Sequence, residues 1–490
     1  MTVPLKKWYN DSVGVQAIPQ KDLGMVRLMK KNLTVKEYIY VGLMLFGMFF
    51  GAGNLIFPVS MGQNAGRNVW AALAGFLVTG VGLPLLGVAA LGISKSNGLY
   101  ELSSKAGKPF GMFFTVALYL SIGPFFAIPR CATTSFTVGI EQILPDGVSA
   151  GLILLIFSVV FFAAALAFSL KPGKILTWIG KILTPVFLVF LFALVIVALV
   201  NPSARVSEVA PSASYADNAF IAGFIDGYGT MDALAGLAFG IVVVNVIRSL
   251  GVEDPLSVAG ATVKSGILGC FIMSVIYVAV TIMGAQSRGA FAPAENGGVA
   301  LTEIARYYLG DVGLYVLAAT VTFACLKTSV GLITSCSETF VELFPKCGNY
   351  KIWAIVFSLV SLVLTNFGLS AIINYSVPAL MFLYPLTIAL VLLSLFGRFF
   401  ENARVVYGFT LGFTLIGAIY DLLLALPAAV KNFLKLDGFL EAVGKYLPLS
   451  DVGMGWICPF ALGLVIGLTI YIVRKVREKD ADEAKADLNE

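Results

Sequence analysis

The chain has 490 residues, of which 58% are hydrophobic and only 12% are charged, and its mean hydropathy is +0.90. The formal net charge is +5 and there is no histidine. So little polar surface cannot cover a water-soluble protein of this length, which predicts an integral membrane protein. Without histidine the commonest metal ligand and the usual proton relay near neutral pH are missing, so any proton chemistry must use carboxylates or lysine.

Apolar blocks of bilayer-spanning length recur along the chain, which favours an all-α polytopic protein over the alternating strands of an outer-membrane barrel. We predict twelve transmembrane helices, whose boundaries are defined to within several residues. Their approximate ranges are 36–65, 69–93, 110–141, 149–170, 174–200, 217–249, 257–285, 311–342, 351–366, 370–397, 404–427 and 453–474. Lysine and arginine collect in every second loop together with the basic N-terminal segment, so the positive-inside rule places both termini in the cytoplasm.

The first predicted span is interrupted at its centre by a glycine-rich sequence. The interruption consists of Gly51, Ala52, Gly53 and Asn54. A spanning helix normally satisfies its own backbone groups, so a break at this depth frees N–H and C=O groups that must find another partner. A solute is one candidate partner. Close helix packing through pairs such as Gly47 and Gly51 is the structural alternative.

The sixth predicted span is interrupted in the same way. Its central residues are Asp226, Gly227, Tyr228, Gly229, Thr230, Met231 and Asp232. Each break therefore opens a block of five spans, and the two blocks run in opposite directions because five is odd. Paired interruptions of this kind mark the substrate site of a secondary transporter with an inverted repeat.

The predicted domain organisation follows from these two blocks. It comprises a cytoplasmic, flexible segment at 1–35, a first repeat at 36–200, a second repeat at 217–397, two additional helices at 404–474 and a cytoplasmic tail at 475–490. The first thirty residues are polar and basic and lack the apolar core of a cleavable signal.

Three charged residues fall inside predicted spans, and each has a structural and a functional interpretation. They are Arg130, Asp232 and Lys327. An arginine at the bilayer centre costs at least about 2.5 kcal/mol unless it is paired or hydrated. A structural ion pair of Arg130 with Asp226 or Asp232 and a role in gating or substrate contact both stay open. Lys327 is a candidate for proton coupling, because burial readily perturbs a lysine.

The chain resembles a known family at these motifs: the bacterial branched-chain amino acid cation symporters, relatives of the sodium-coupled leucine transporter (LeuT) fold. The matching residues are Phe49 to Pro58, Gly123-Pro124, Pro129-Arg130, Gly227 to Asp232 and the eighth-span run ending Gly331 to Ile333. The resemblance covers approximately residues 36–475. It implies uptake of leucine, isoleucine and valine, coupled to sodium or in some accounts to protons, in the bacterial cytoplasmic membrane.

The resemblance also implies which residues bind substrate and ion. The amides of Gly51, Ala52 and Gly53 would bind the substrate carboxylate, carbonyls near Asp226, Gly227 and Gly229 its ammonium, and Tyr228, Thr230 and Asn54 would complete the site. A sodium ion would be bound by Gly47, Phe50, Cys325, Thr328 and Ser329. Neighbouring hydroxyls alone are a weak signal, because Ser and Thr in membrane helices often bond back to their own backbone.

Several alternatives stay open beside this prediction. The first is a proton-coupled transporter or exchanger of another small neutral amino acid on the same fold. A channel is disfavoured because no ring-forming polar repeat is present. An enzyme or an ATP-driven pump would need catalytic groups or a phosphate-binding loop, and neither pattern occurs. We expect no cofactor, no metal beyond sodium, no nucleic acid and no obligate protein partner, but a small-molecule substrate and a lipid bilayer.

Overall fold

The computed structural model describes residues 32–145, 147–170 and 184–487, and the regular secondary structure in these ranges is helical. Most of the predicted flexible segment at 1–35 lies outside the described residues, and so does the beginning of the predicted span 174–200. Nine helices in the described ranges are long and apolar enough to cross a membrane. Two further apolar helices, Leu188–Val200 and Tyr350–Thr365, are shorter.

The helices are labelled here in chain order. They are α1 Val35–Phe49, α2 Gly53–Ala65, α3 Val69–Leu77, α4 Leu83–Ile93, α5 Leu99–Ser103, α6 Lys108–Leu120, α7 Ala127–Gly139, α8 Ala150–Leu170, α9 Thr184–Val200 and α10 Ala213–Ala216. The second half of the chain contains α11 Ala219–Asp226, α12 Asp232–Ser249, α13 Pro255–Ser287, α14 Gly297–Leu343, α15 Tyr350–Thr365, α16 Leu369–Phe396, α17 Arg404–Ala425, α18 Ala428–Leu434, α19 Asp437–Gly444 and α20 Ile457–Asp487.

The first predicted span is divided into α1 and α2. Helix α1 begins with a capping box, in which Thr34 and Glu37 satisfy each other's backbone N–H groups. It ends where Phe50 adopts an extended conformation, and α2 resumes at Gly53. The predicted break is therefore present at the predicted place.

The two broken helices pack reciprocally. Both α1 and α2 lie along α13, and the broken pair α11 and α12 lies along α3 and α4. Glycine permits these close approaches: a Cβ on Gly62 would overlap the carbonyl of Thr281 in α13. In contrast, a Cβ on Gly47 would meet nothing within 4 Å. Packing thus explains Gly62 but does not explain Gly47.

The third predicted span contains an interruption that the sequence analysis did not identify. Helix α6 passes into a wide turn at Ser121–Phe125, in which Gly123 is non-helical, before α7 begins at Ala127. Pro124 lacks a backbone N–H and so cannot continue the regular ladder. The Gly-Pro pair was the available signal for this break.

Two spans extend further than predicted. Helix α14 begins at Gly297 instead of 311 and bends at Gly310, whose φ of +61° favours glycine. Helix α20 continues to Asp487, through most of the segment predicted as a tail. It packs on α17, and the Asp421 carboxylate of α17 accepts hydrogen bonds at 3.2 Å from the amides of Gly455 and Trp456 just before α20.

Candidate functional site

The first break exposes the amino end of a half-helix. Helix α2 starts with no side-chain cap from Ala52. Asn54 in its first turn is only 1% exposed, and its Oδ1 accepts the Gly51 N–H at 2.7 Å. A buried amide thus satisfies one donor that the break leaves free, as buried backbone groups require.

The second break is built from a tight turn and a strained residue. Helix α11 ends at Asp226, a 3₁₀ turn follows at Gly227–Thr230, and Met231 adopts the left-handed conformation with φ +63° before α12 begins. The Thr230 hydroxyl donates to the Gly227 carbonyl at 2.9 Å. A left-handed methionine costs of order 1–3 kcal/mol and persists only where its surroundings hold it, which is common at functional sites.

Arg130 joins this second break to α7. Its guanidinium donates to the carbonyl of Gly229 and, at 3.3 Å, to the carbonyl of Thr230. The side chain is 4% exposed and its charge lies 5.3 Å from the centre of the Phe57 ring in α2. It forms no ion pair with Asp226 or Asp232 in the described part of the chain. Backbone carbonyls therefore take the place of the carboxylate partner that was one of the two alternatives left open by the sequence.

Asp232 connects the two breaks. This carboxylate is 3% exposed at the start of α12, and its Oδ2 accepts a hydrogen bond from the side-chain amide of Asn54 at 2.5 Å. The Tyr277 hydroxyl of α13 donates to the same oxygen at 3.2 Å, and it also contacts the Asn54 amide. Asn54, Asp232 and Tyr277 thus form one buried polar network. Tyr277 was missed from the sequence, since a tyrosine in an apolar span carries no distinctive pattern.

The two breaks are also in steric contact. A Cβ on Gly229 would overlap the ring of Phe57, and a Cβ on Gly53 would lie 2.9 Å from an Arg130 terminal nitrogen. Glycine at both positions lets the two chain segments approach with Arg130 and Phe57 between them. Gly53 and Gly229, which were both predicted to bind substrate, therefore lie at one place in the fold.

Two other predicted substrate residues contact side chains that belong to neither break. Asp226 accepts a hydrogen bond from the Tyr215 hydroxyl of α10. The Tyr228 ring stacks on Tyr384 of α16 with ring centres 4.0 Å apart, and both buried hydroxyls lack a hydrogen-bond partner among the described residues. Asp226 and Tyr228 thus hold the second break against its surroundings.

The predicted ion-binding residues are only partly assembled. Thr328 of α14 lies against the first break, since a Cβ on Gly51 would be 3.9 Å from its hydroxyl oxygen. That hydroxyl donates back to Ala324 O at 3.1 Å, which is the structural alternative noted above. Ser329 is fully buried without a hydrogen-bond partner of its own, and it lies beside Cys131 of α7, near Cys325.

The contacts of Lys327 and of the remaining residues of the predicted ion site do not by themselves indicate ion binding. Lys327 is partly buried and makes no hydrogen bond or ion pair within the described ranges. Phe50 lies at the end of α1, where its ring is tilted against Phe46 at 5.1 Å, and Gly47 lies one turn earlier. The residues brought together most closely are therefore Asn54, Arg130, Asp232 and the backbone of both breaks.

The chain is similar to curated permeases over nearly its whole length. It is 48% identical over 449 residues to the branched-chain amino acid permease BrnQ of Lactobacillus delbrueckii subsp. lactis, covering 92% of this chain and 100% of that protein. It is 43% identical over 446 residues to the branched-chain amino acid permease BraB of Bacillus subtilis, covering 91% and 98%.

Two solved structures share the fold. Mhp1, a nucleobase-cation-symport-1 family transporter in a closed conformation with bromovinylhydantoin bound, matches with a TM-score of 0.54 at 15% identity, covering 90% of this chain and 93% of that one. The inward-facing conformation of Mhp1 matches with a TM-score of 0.59 at 14% identity, covering 90% and 91%. This likeness confirms a LeuT-like helical fold.

The description "Branched-chain amino acid transport protein" belongs to the family whose pattern matches residues 34–474. That range includes both breaks, Arg130, Asp232 and Tyr277. The family resemblance expected from the motifs is thereby confirmed. The chain belongs to the family of branched-chain amino acid transport proteins, and it is a multi-pass membrane transport protein and not an enzyme.

Proposed function

We propose that this protein is a secondary active symporter that takes up leucine, isoleucine and valine by alternating access, driven by a sodium gradient. One observation carries the proposal: two interrupted helices meet at a buried polar centre in a chain of the branched-chain amino acid transport family. Interrupted helices with this arrangement form the central site of many secondary transporters.

The proposed architecture has twelve spans, with an inverted repeat of five plus five and two added helices. The reciprocal packing supports it. In an inverted repeat, spans one and two of the first block correspond to spans six and seven. The contact of broken span one with α13 then corresponds to the contact of broken span six with α3 and α4. We further propose that the protein lies in the bacterial cytoplasmic membrane with both termini inside, as the positive-inside rule favours.

The proposed substrate site lies between the breaks. The amides of Ala52 and Gly53, joined by that of Gly51 once it leaves Asn54 Oδ1, would bind the carboxylate with the help of the α2 half-helix dipole. The ammonium would bind on the side of Gly229 and Thr230, whose carbonyls hold a cation, the Arg130 guanidinium, in the absence of substrate and would release it when substrate binds. That pair of carbonyls is thus suited to a positively charged group.

The proposed sodium site would use oxygens of Gly47, Phe50, Cys325, Thr328 and Ser329. The closeness of Thr328 to Gly51 supports this site, and the unpartnered Ser329 hydroxyl supplies a buried oxygen that a cation could use after a small rotation. Coupling to protons through Lys327 is the second candidate. Its support is a partly buried lysine without a partner in the described ranges.

The test is leucine uptake into proteoliposomes that contain the purified full chain. Concentrative uptake should appear with an inward sodium gradient and not with a proton gradient alone, and valine and isoleucine should compete while glutamate does not. Replacing both Thr328 and Ser329 by alanine should abolish the response to sodium. Uptake that follows the proton gradient, with a pH profile altered by Lys327→Gln, would establish the second candidate. A lack of concentrative uptake under either gradient would refute symport.

A further inference from the structure

Two buried side chains of opposite charge border the breaks, and neither forms a salt bridge with the other or with any other described residue. Arg130 is 4% exposed and Asp232 is 3% exposed. The ion pairs found in the described part of the chain involve exposed side chains elsewhere, and neither residue takes part in them. A buried ion carries a desolvation penalty of several kcal/mol, which only a well-placed partner offsets. The site therefore has a cation and an anion that a ligand could neutralise.

Each of these side chains also keeps one atom unused. The terminal nitrogens of Arg130 donate to the carbonyls of Gly229 and Thr230, but its Nε is buried without a hydrogen-bond partner. Asp232 accepts both of its side-chain hydrogen bonds, from Asn54 and Tyr277, on Oδ2. Its Oδ1 receives no bond from Asn54 or Tyr277, and the Thr230 hydroxyl beside the carboxylate donates to the Gly227 carbonyl at 2.9 Å. One buried donor and one acceptor thus stay available in the same region.

The two charges are placed on opposite parts of the same site. The Arg130 guanidinium lies against Gly53, where the first-turn amides of α2 begin. Asp232 is the first residue of α12 and is tied through Asn54 to the same turn of α2. Both side chains therefore lie at the ends of interrupted helices, where the proposed function places the substrate.

We propose that Arg130 binds the α-carboxylate of the substrate and that Asp232 binds its α-ammonium. The proposal rests on the proposed function and deepens it, because two side-chain charges, in addition to backbone dipoles, would select for an intact zwitterion. A guanidinium presents two parallel N–H groups that match a carboxylate, whereas a lysine ammonium does not. Without substrate, the guanidinium is held by the carbonyls of Gly229 and Thr230.

The experiment deletes one charge from the ligand and one from the protein. Binding of leucine, leucinamide and 4-methylpentanoate to the purified full chain is measured by calorimetry for the wild type, Arg130→Gln and Asp232→Asn. Leucinamide lacks the carboxylate, and 4-methylpentanoate lacks the ammonium. Arg130→Gln should weaken leucine binding by about 30-fold or more and leucinamide binding by less than about 3-fold, since losing one partner of a buried charge pair costs 2–5 kcal/mol.

Asp232→Asn should show the complementary pattern. Leucine binding should weaken by a similar factor, while binding of 4-methylpentanoate stays the same or strengthens, so the wild-type preference for leucine over the des-amino acid collapses. Arg130→Lys keeps the positive charge. If Arg130→Gln does not fold, the ratio of leucine affinity to leucinamide affinity is measured in Arg130→Lys instead. Matched controls are Arg288→Gln and Asp311→Asn, which remove charges outside the two breaks, the second from an exposed side chain, and should leave both ratios unchanged.

Different outcomes test the assignment of the two charges and the proposed transport function separately. Equal weakening of leucine and leucinamide by Arg130→Gln and Arg130→Lys, or an intact preference for leucine over 4-methylpentanoate in Asp232→Asn, would overturn the assignment of charges while leaving transport in place. A wild-type protein that binds no leucine would overturn the proposed function and this inference with it.

Discussion

Both breaks leave backbone groups that a side chain must satisfy, but these groups are donors in the first break and acceptors in the second. The first leaves N–H groups at the start of α2, and an acceptor, Asn54 Oδ1, takes the Gly51 N–H. The second leaves carbonyls at the end of its turn, and a donor, the Arg130 guanidinium, takes those of Gly229 and Thr230. One break is thus suited to an anion and the other to a cation, which is the requirement for binding a zwitterion.

The difference between the breaks also lies in where their partners come from. Asn54 belongs to the same turn that it caps, so the first break is satisfied locally. Arg130 comes from α7 and Asp232 is held by Asn54 and Tyr277, so the second break depends on tertiary contacts. Substitutions of residues that connect the two breaks should therefore reduce transport most, and substitutions in the added helices should reduce it least.

The largest effect is expected for Asn54→Ala. This change removes the acceptor of the Gly51 amide and a donor to the Asp232 carboxylate together, and each buried group left unsatisfied costs about 1–3 kcal/mol. We expect leucine uptake into proteoliposomes to fall by about 30-fold or more. Asn54→Gln, which keeps the amide on a longer side chain, is the matched control for loss of the group itself. Near wild-type uptake by Asn54→Ala would show that the breaks are not coupled through this residue.

Gly229→Ala should have the next largest effect. The new Cβ would overlap the Phe57 ring, which is held under the Arg130 guanidinium, and such overpacking typically costs 1–3 kcal/mol. Uptake should fall by about 10-fold, and Phe57→Leu in the same chain should restore part of it by removing the ring. Gly412→Ala, which has open space around its Cβ, is the control. Full activity of Gly229→Ala would contradict the close contact between the breaks.

Tyr277→Phe should have a moderate effect. It removes one of two hydrogen bonds to Asp232 Oδ2 and leaves the bond from Asn54, so the expected loss is about 0.5–1.5 kcal/mol. Leucine affinity should weaken by about 2- to 10-fold, as measured by calorimetry. A loss as great as that of Asp232→Asn would instead place Tyr277 in direct contact with the substrate.

Asp421→Asn should have the smallest effect on transport. Its carboxylate accepts the amides of Gly455 and Trp456 between α17 and α20, and its neighbour in the second break is Tyr228, which lies outside the Asn54–Asp232–Tyr277 network. Thermal unfolding in detergent should occur at a lower temperature, because hydrogen bonds to a charged acceptor are worth about 1.5–3 kcal/mol. The rate of leucine uptake per folded protein should change by less than about 2-fold. A strong loss of uptake would give the added helices a role in transport.

The sequence predicted the features that depend on local chemistry. Glycine pairs at mid-span predicted both breaks, and the structure interrupts the helices at Phe50 and at Gly227–Thr230. The buried position of Arg130 was also expected, because a membrane arginine must face protein or water. The break at Gly123 carried an equally local Gly-Pro signal that was not used for this purpose.

The partners of these residues could not be predicted in the same way. Arg130 could pair with any acceptor at its depth, and only the packing of α7 against the second break selects carbonyls over the carboxylates of Asp226 and Asp232. Tyr277 faces Asn54 because α13 lies along α1 and α2, which is a long-range contact. Whether Thr328 and Ser329 bind an ion together likewise depends on side-chain rotations that no sequence pattern specifies.

The central claim is that both breaks line one site for a branched-chain amino acid. The most direct test is photolabelling of the reconstituted protein with a diazirine analogue of leucine, followed by mass spectrometry of the labelled peptides. The account predicts labels in both breaks, within 47–58 and 223–237, and predicts that excess leucine suppresses both to the same extent while glutamate suppresses neither. Labels confined to one break, or labels elsewhere that leucine suppresses, would contradict it.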